Sequence, residues 1–466
     1  MYSLQSISLR CFLATPVCTA RCNGPFFQLK YLLRRQPCSR CLTTGGLLLN
    51  YLMERITVRT SLVLLTLVLS CIAIATTATA VEPFELKDGE RVVFLGNTLI
   101  ERDQLYGYLE TALVSQWPDR NITFRNLGWS GDTVWGDARA GFDTAKQGFQ
   151  RLKDLVLANK PTTIFVSYGT NESFAGEAGL PEFQKGLDTL LDAIGESKAR
   201  IVIISPIAQK ELGRPLPDPK EQNARLKMYC TVLEETAKKR DLLYLDMFSK
   251  FSSLYRGELT DNGIHLTQFG YWAIATEVCS KLHLAHGRRS AQIAADGKVI
   301  ECNGFKIDNV TGSPATGNLK FTLQEDGGLM PLVPGLWQKR FYPSMKGLAP
   351  GMYALRIDGK KFGAWSTGDW REEEGLTFDP KNLPGEKLRQ AIIAKNQLYF
   401  YRWRPQNETY LFGFRKHEQG KNAAEIVQFD PLIAEKEAEI AKLRVPQPHV
   451  YEIVREAEEK KAEEKK

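Results

Sequence analysis

Between Arg91 and Leu284 uninterrupted apolar runs alternate with amphipathic segments, and this pattern constrains the chain more than any other feature. Arg91-Val92-Val93-Phe94-Leu95, Ile122–Leu127, Thr163–Tyr168, Ile201–Ile204 and Leu242–Leu245 read as buried strands. The stretches Asp103–Trp117, Phe149–Asn159, Pro181–Glu196, Asp218–Arg240 and Gln268–Leu282 read as helices. In the third of these Phe183, Leu187, Leu190, Leu191 and Ile194 share one face. Strands that are apolar on both faces need a helix layer on each side, so the pattern predicts a three-layer α/β/α domain around a parallel sheet. In such sheets ligands bind just beyond the carboxyl ends of the strands.

Beyond this domain, expected over 81–287, the texture changes. Residues 288–385 are rich in Gly and turn pairs with short alternating runs such as Asn318–Leu323 and Met352–Ile357, which predicts a small β-rich module. A helical region over 386–445 follows, interrupted at Tyr399–Pro405, and 446–466 reads as a charged tail.

Ahead of the domain, Met53–Ala80 combines Arg55 and Arg59, an apolar run from Ser61 to about Ala75, and the small end Ala78-Thr79-Ala80. That is the layout of a signal peptide, and the run is short of the roughly 20 apolar residues that a membrane span wants. The expectation is export to the periplasm or outside the cell, with residues 61–80 as an anchor if the leader is retained. Residues 1–52 hold five cysteines and no acid, and are expected to be an extension upstream of a true start at Met53. Cys18, Cys22, Cys38 and Cys41 have zinc-like spacing, but a folded zinc unit has no place before a signal peptide. Cys230, Cys279 and Cys302 are too few for a disulfide framework. The net charge of +7 resides in residues 1–80, where eight basic side chains face Glu54 alone, so nucleic acid is not an expected partner.

Four short segments collect at strand ends or helix starts: Gly96-Asn97-Thr98, Asn126–Thr133, Tyr168-Gly169-Thr170-Asn171, and Asp261-Asn262-Gly263-Ile264-His265. Each alone has a plain backbone reading, since Gly and Asn populate turns. Together, in this order, they resemble the SGNH or GDSL-like hydrolases across roughly residues 88–285. The resemblance implies a flavodoxin-like domain that performs acyl transfer on a small-molecule or carbohydrate ester. Separately, His283, His286, His417 and His449 lack metal-ligand spacing and no phosphate-cradling loop is present, so no metal or cofactor is expected. The resemblance also implies an oxyanion hole made by the Thr98 and Gly131 backbone N–H groups and the Asn171 side chain. His265 becomes the general base, Thr98 takes the place of the family's serine nucleophile, and Asn262 that of its aspartate. Asp261 is a neighbouring carboxylate that can orient His265, while Asn97 and Asp132 are candidate substrate contacts.

The two replacements leave two readings open. One is an ester hydrolase for a small acyl or acetyl ester; the other is a carbohydrate-binding protein with a degenerate triad. A third, a structural envelope protein, requires a filled pocket. Glu101 and Arg102 are expected to form a solvated pair, in preference to entering the pocket. The dense stretch Arg402-Trp403-Arg404 is expected to make an interdomain contact, in preference to lining a ligand groove.

Overall fold

A computed structural model describes residues 83–253, 259–284, 290–327, 331, 339–340, 344–371, 376–377 and 384–456. The upstream extension, the leader with its cysteines, and residues 457–466 lie outside the described residues. The central sheet is built from β1 (Arg91–Gly96), β2 (Thr123–Asn126), β3 (Thr163–Ser167), β4 (Arg200–Ile204) and β5 (Leu243–Leu245), all parallel. Their order is β2-β1-β3-β4-β5, the flavodoxin-like arrangement, whose ligand site lies where the order switches between β1 and β3. Both faces are buried, as the sequence pattern requires. Val92 and Phe94 of β1 face one core with Phe165, Val202 and Ile204, while Val93 and Leu95 face the other with Ile164, Val166 and Ile203. Burying each such side chain stabilises by about 1.5–3 kcal/mol, so the two faces together dominate the stability of this part.

Seven helices surround the sheet: α1 (Thr98–Asp103), α2 (Tyr108–Val114), α3 (Ala145–Ala158), α4 (Leu180–Gly195), α5 (Lys220–Lys239), α6 (Phe248–Ser253) and α7 (Gln268–Lys281). Four of the five expected helices appear within a few residues of their predicted limits. The exception is Asp103–Trp117. A helix begins earlier, because the Asn97 side chain accepts the Leu99 N–H as an N-cap, and it breaks before Gly107, whose φ of 66° is left-handed. This shift matters, since it puts Thr98 at the first position of a helix rather than in a loop.

The C-terminal region holds a three-stranded sheet, β11 (Ser344–Met345), β6 (Ser290–Ile293) and β7 (Val299–Asn303), and a larger antiparallel sheet. The larger sheet has the order β13 (Lys360–Ser366), β12 (Met352–Ile357), β15 (His449–Arg455), β9 (Asn318–Glu325), β8 (Phe305–Ser313). Its central strand comes from the segment expected to be a charged tail. β15 pairs antiparallel with β9 and β12, so the β-rich module closes only after the chain has passed through the helical region.

That helical region consists mainly of α8 (Pro384–Trp403) and α9 (Phe429–Leu443). α8 runs through Tyr399–Trp403, where the sequence predicted an interruption; the aromatic run is absorbed because Tyr399 and Trp403 pack on the second core. Leu388, Ala391 and Ile392 of the same helix join the first core. α8 thus covers β2, the edge strand of the sheet. There Lys395 donates to the Phe124 carbonyl at 3.0 Å and pairs with Glu110 at 2.7 Å, all buried.

Candidate active site at the ends of the first and third strands

Asn97 and Thr98 follow β1 directly, and Gly169–Asn171 follow β3, so the switch point of the sheet brings two of the four segments together. A cavity of 230 Å³ opens there, lined by Asn97, Thr98, Arg102, Asn171, Gln209 and His265, with an apolar wall that includes Leu99, Phe174 and Tyr271. Of the expected site residues, Asn97, Thr98, Asn171 and His265 line it, and Gly131 reaches it through Thr98.

The oxyanion side is built from the loop after β2. Gly128 lies so close to the first helix that a Cβ on it would fall 2.2 Å from the Glu101 nitrogen, which requires glycine. The Asn126 side chain donates to the Ile100 carbonyl at 2.7 Å and accepts the Gly128 N–H at 2.9 Å, tying loop to helix. Gly131 adopts a φ of 79°, and its N–H points to Thr98 Oγ1 at 3.4 Å. Asn171 donates one amide proton to the Asp132 carbonyl at 2.7 Å, which leaves the second for a ligand. The Thr98 N–H, first in its helix, has no protein acceptor among the described residues.

Asp132 does not line the cavity. It is fully buried, with its carboxylate bonded to Arg139 at 2.7 Å and to the Tyr168 hydroxyl at 3.0 Å. Its place as a substrate contact is taken by a structural role. Arg139 lies against Trp129 and Trp403 and also holds the Leu127 carbonyl. Nearby, the Arg404 guanidinium sits 3.5 Å from the Trp129 ring centroid and bonds Glu101 at 2.8 Å. Glu101 in turn accepts the Ser130 N–H at 2.6 Å. So Glu101 and Arg102 are not a solvated pair: the first braces the loop through Arg404, and the second enters the cavity. The end of α8 makes the contact expected of Trp403 and Arg404. Next to Asn171, burial pushes the Glu172 carboxyl up to about 7, although it accepts the N–H groups of Val134 and Gly169.

The histidine side is more open. Asp261 and His265 bracket a turn, the Asp261 N–H donating to the His265 carbonyl at 2.8 Å. Asn262 Oδ1 accepts two backbone N–H groups, from Ile264 at 3.1 Å and from His265 at 2.9 Å. Those donors fix the amide orientation, so Nδ2 is the atom that faces His265 Nδ1, at 3.3 Å. An amide N–H can only donate. Nδ1 is therefore the acceptor, and the ring proton resides on Nε2. Asp261 does not orient the ring; its carboxylate pairs with Arg102 at 3.3 Å and is 53% exposed. Partial burial, then the Arg102 charge, hold the His265 pKa below the usual histidine range. No hydrogen bond joins His265 to Thr98 among the described residues. Arg102 takes the pocket position that the sequence ranked below a solvated pair, and Gln209 was missed as a cavity residue. Arg102 had a signal, since it stands four positions after Thr98 and so on the same helix face; Gln209, in the coil after β4, had none.

Residues 96–273 match the model of the GDSL-like lipase/acylhydrolase family. Among solved structures, a gut microbial diltiazem-metabolizing enzyme is similar over 80% of this chain and 99% of its own, at 16% identity and a TM-score of 0.57. That likeness shows a shared fold, and its extent takes in part of the chain beyond the α/β domain. An alpha/beta hydrolase enzyme from the metagenome of Lake Arreo, Spain, covers 43% of this chain and 99% of its own at 19% identity and a TM-score of 0.34. A catalytic mutant of an acetylxylan esterase from Geobacillus stearothermophilus covers 43% and 96% at 19% identity and a TM-score of 0.35. No curated protein matches the chain.

Proposed function

Because residues 96–273 form a GDSL-like lipase/acylhydrolase domain of the SGNH hydrolase superfamily, an ester-hydrolase framework in general, we propose that this chain is an exported hydrolase of a small acyl or acetyl ester, restrained by the tautomer of its own histidine. The observation that carries the reading is the meeting of Thr98, Gly131, Asn171 and His265 at one cavity. Its 230 Å³ is below the roughly 300–1,000 Å³ of drug-sized pockets, which favours a short acyl group.

In this reading the carbonyl oxygen of the ester takes the N–H groups of Thr98, Gly131 and Asn171. Thr98 Oγ1 attacks the carbonyl carbon, its proton passes to His265, and the imidazolium returns that proton to the departing alcohol. Water then repeats the steps on the acyl-threonine, which frees the acid and restores the hydroxyl. The restraint lies in the proton transfer. Nε2 already carries a hydrogen, and moving it to Nδ1 sets one donor against the Asn262 amide. In serine triads the equivalent Asp→Asn change costs about 10⁴ in rate for this reason. The threonine methyl adds a second, smaller obstacle by restricting the side-chain rotamer.

Export rests on the signal-like sequence Met53–Ala80; no helix among the described residues is long and apolar enough to cross a membrane. A carbohydrate as the alcohol half follows from the family resemblance and from no residue of this cavity. The second reading, a ligand-binding protein without turnover, is favoured by the Asn262–His265 contact and the absence of a Thr98–His265 bond. Hydrolysis of 4-nitrophenyl acetate separates them. The hydrolase reading expects slow turnover, lost in Thr98→Ala and His265→Ala and raised about 10²–10⁴-fold in Asn262→Asp. No turnover in wild type or in Asn262→Asp/Thr98→Ser would leave the binding protein standing.

A further inference from the structure

The cavity is one-sided in its chemistry. Among the described residues no carboxylate lines it, whereas its nitrogen-bearing side chains have donor capacity left unused. Three buried N–H groups of lining residues lack any protein partner: Asn97 Nδ2, Arg102 Nε and Gln209 Nε2. The first is the most telling. Asn97 is only 2% exposed, and its Oδ1 is committed to the Leu99 N–H, so its amide cannot be turned to relieve the orphan donor. A buried donor left unpaired is destabilising, and a protein tolerates that most readily where a ligand supplies the acceptor. His265 adds a fourth donor, since Asn262 keeps its proton on Nε2.

Among the described residues Arg102 is the one cation of the lining, and it is only lightly held. Its ion pair with Asp261 uses one Nη2 bond at 3.3 Å to a carboxylate that is half exposed, a type of pair that contributes little. Its Nε, left without a protein acceptor, remains for a ligand carboxylate. Beside it, Tyr271 donates to the Leu99 carbonyl at 2.9 Å and also hydrogen-bonds Arg102, and partial burial with the Arg102 charge lowers the His265 pKa. One available positive charge matches one negative charge on the ligand. The apolar wall of Leu99, Ile207 and Leu266 asks for a short hydrocarbon body, which a bare inorganic anion lacks.

We propose that the ligand of this cavity carries a carboxylate, held by Arg102 with the Asn97 amide and the His265 Nε2–H, either as a free short-chain acid or as the charged end of an esterified group. The proposal rests on the reading of this cavity as the ligand site, and it names the class of ligand. Asp261 is then the internal competitor that a ligand displaces from Arg102.

Calorimetric titration of the full chain with butyrate and with its neutral isostere butyramide tests this directly. Wild type is expected to bind butyrate at least about tenfold more tightly than butyramide, a difference of ~1.4 kcal/mol. Arg102→Gln should bring the two within about twofold, and Asp261→Asn, which removes the competitor, should tighten butyrate severalfold. Absence of butyrate binding, equal affinity for the two in wild type, or a preference that survives in Arg102→Gln would overturn the proposal. Should Arg102→Gln fail to fold, weaker butyrate binding by Asp261→Asn overturns it instead. A kinetic arm compares 4-nitrophenyl acetate with mono-(4-nitrophenyl) succinate. Butyrate preference with neither ester cleaved supports the free-acid form while the hydrolase reading fails. Preferred cleavage of the succinate ester supports the esterified form. Cleavage of the acetate ester without any anion preference leaves the hydrolase reading intact and sinks this one.

Discussion

The two sides of the cavity are held by different physics. The loop after β2, which presents Gly131, is braced by buried charge: Asp132 and Arg139 are both 0% exposed, Tyr168 bonds the same carboxylate, and α8 presses Trp403 and Arg404 onto Trp129. The turn that presents His265 is held by backbone hydrogen bonds and one exposed ion pair. The oxyanion donors are thus fixed by contacts that span the chain, while the histidine is set by its own turn. This division shows where the departures from the family pattern fall. On the proposed reading both replacements sit in the proton path, at Thr98 and Asn262, and the cradle for a carbonyl oxygen is left intact.

The largest contrast to expect is in stability. Arg139→Met leaves Asp132 buried without its partner and should cost about 3–5 kcal/mol in urea unfolding, against less than about 1 kcal/mol for Asp261→Asn. Equal losses would erase the distinction between the two sides. The seat of α8 offers a sharper version. Lys395→Met should cost a similar 3–5 kcal/mol by stranding Glu110, and adding Glu110→Leu should recover most of that loss, since a buried pair replaced by apolar groups is often neutral.

A smaller effect separates the two sides in function. Arg404→Ala frees Glu101 and the Ser130 N–H, so it should lower kcat/KM or ligand affinity by about tenfold, roughly the value of one charged hydrogen bond, without moving the His265 titration. Arg102→Gln should do the reverse to the titration. Removing the cation raises the His265 pKa toward the usual range, which NMR would read directly. A His265 titration that moves in Arg404→Ala would mean the two sides are coupled.

The smallest expected effect lies below the site, at Asp103, where burial pushes the carboxyl up to about 7. A raised carboxyl pKa means that the folded state keeps a proton that the unfolded chain loses. The stabilisation is complete below the ordinary aspartate value of 3.8, falls as pH rises, and is gone above about 7. The melting temperature should therefore drop between about pH 4 and 7 more steeply in wild type than in Asp103→Asn. Parallel curves would show that Asp103 is not the group responsible.

The sheet and most of its helices were legible because their signal is local, carried by runs such as Val92–Leu95 whose burial repeats on both faces. The position of the cavity followed from the four segments, and so did the replacement of the aspartate by Asn262. What was hidden is non-local. The Glu101–Arg404 bond joins residues 303 positions apart and the Arg102–Asp261 pair residues 159 apart, and neither has a period or a motif to announce it. β15 was hidden for the same reason, since a short strand set among charged residues is recognisable only by its partners β9 and β12. Asp132 looked available because it adjoins Gly131; only the fold reveals that Arg139, seven positions on, takes it inward.

The most direct measurement of the central claim is the proton position on His265, read from long-range ¹⁵N–¹H correlations of the imidazole at neutral pH. The account predicts an unprotonated Nδ1 and a protonated Nε2 in the wild-type chain, with the reverse in Asn262→Asp. A proton on Nδ1 in the wild type would contradict it, because His265 would then be free to accept the Thr98 proton and the tautomer would not restrain turnover.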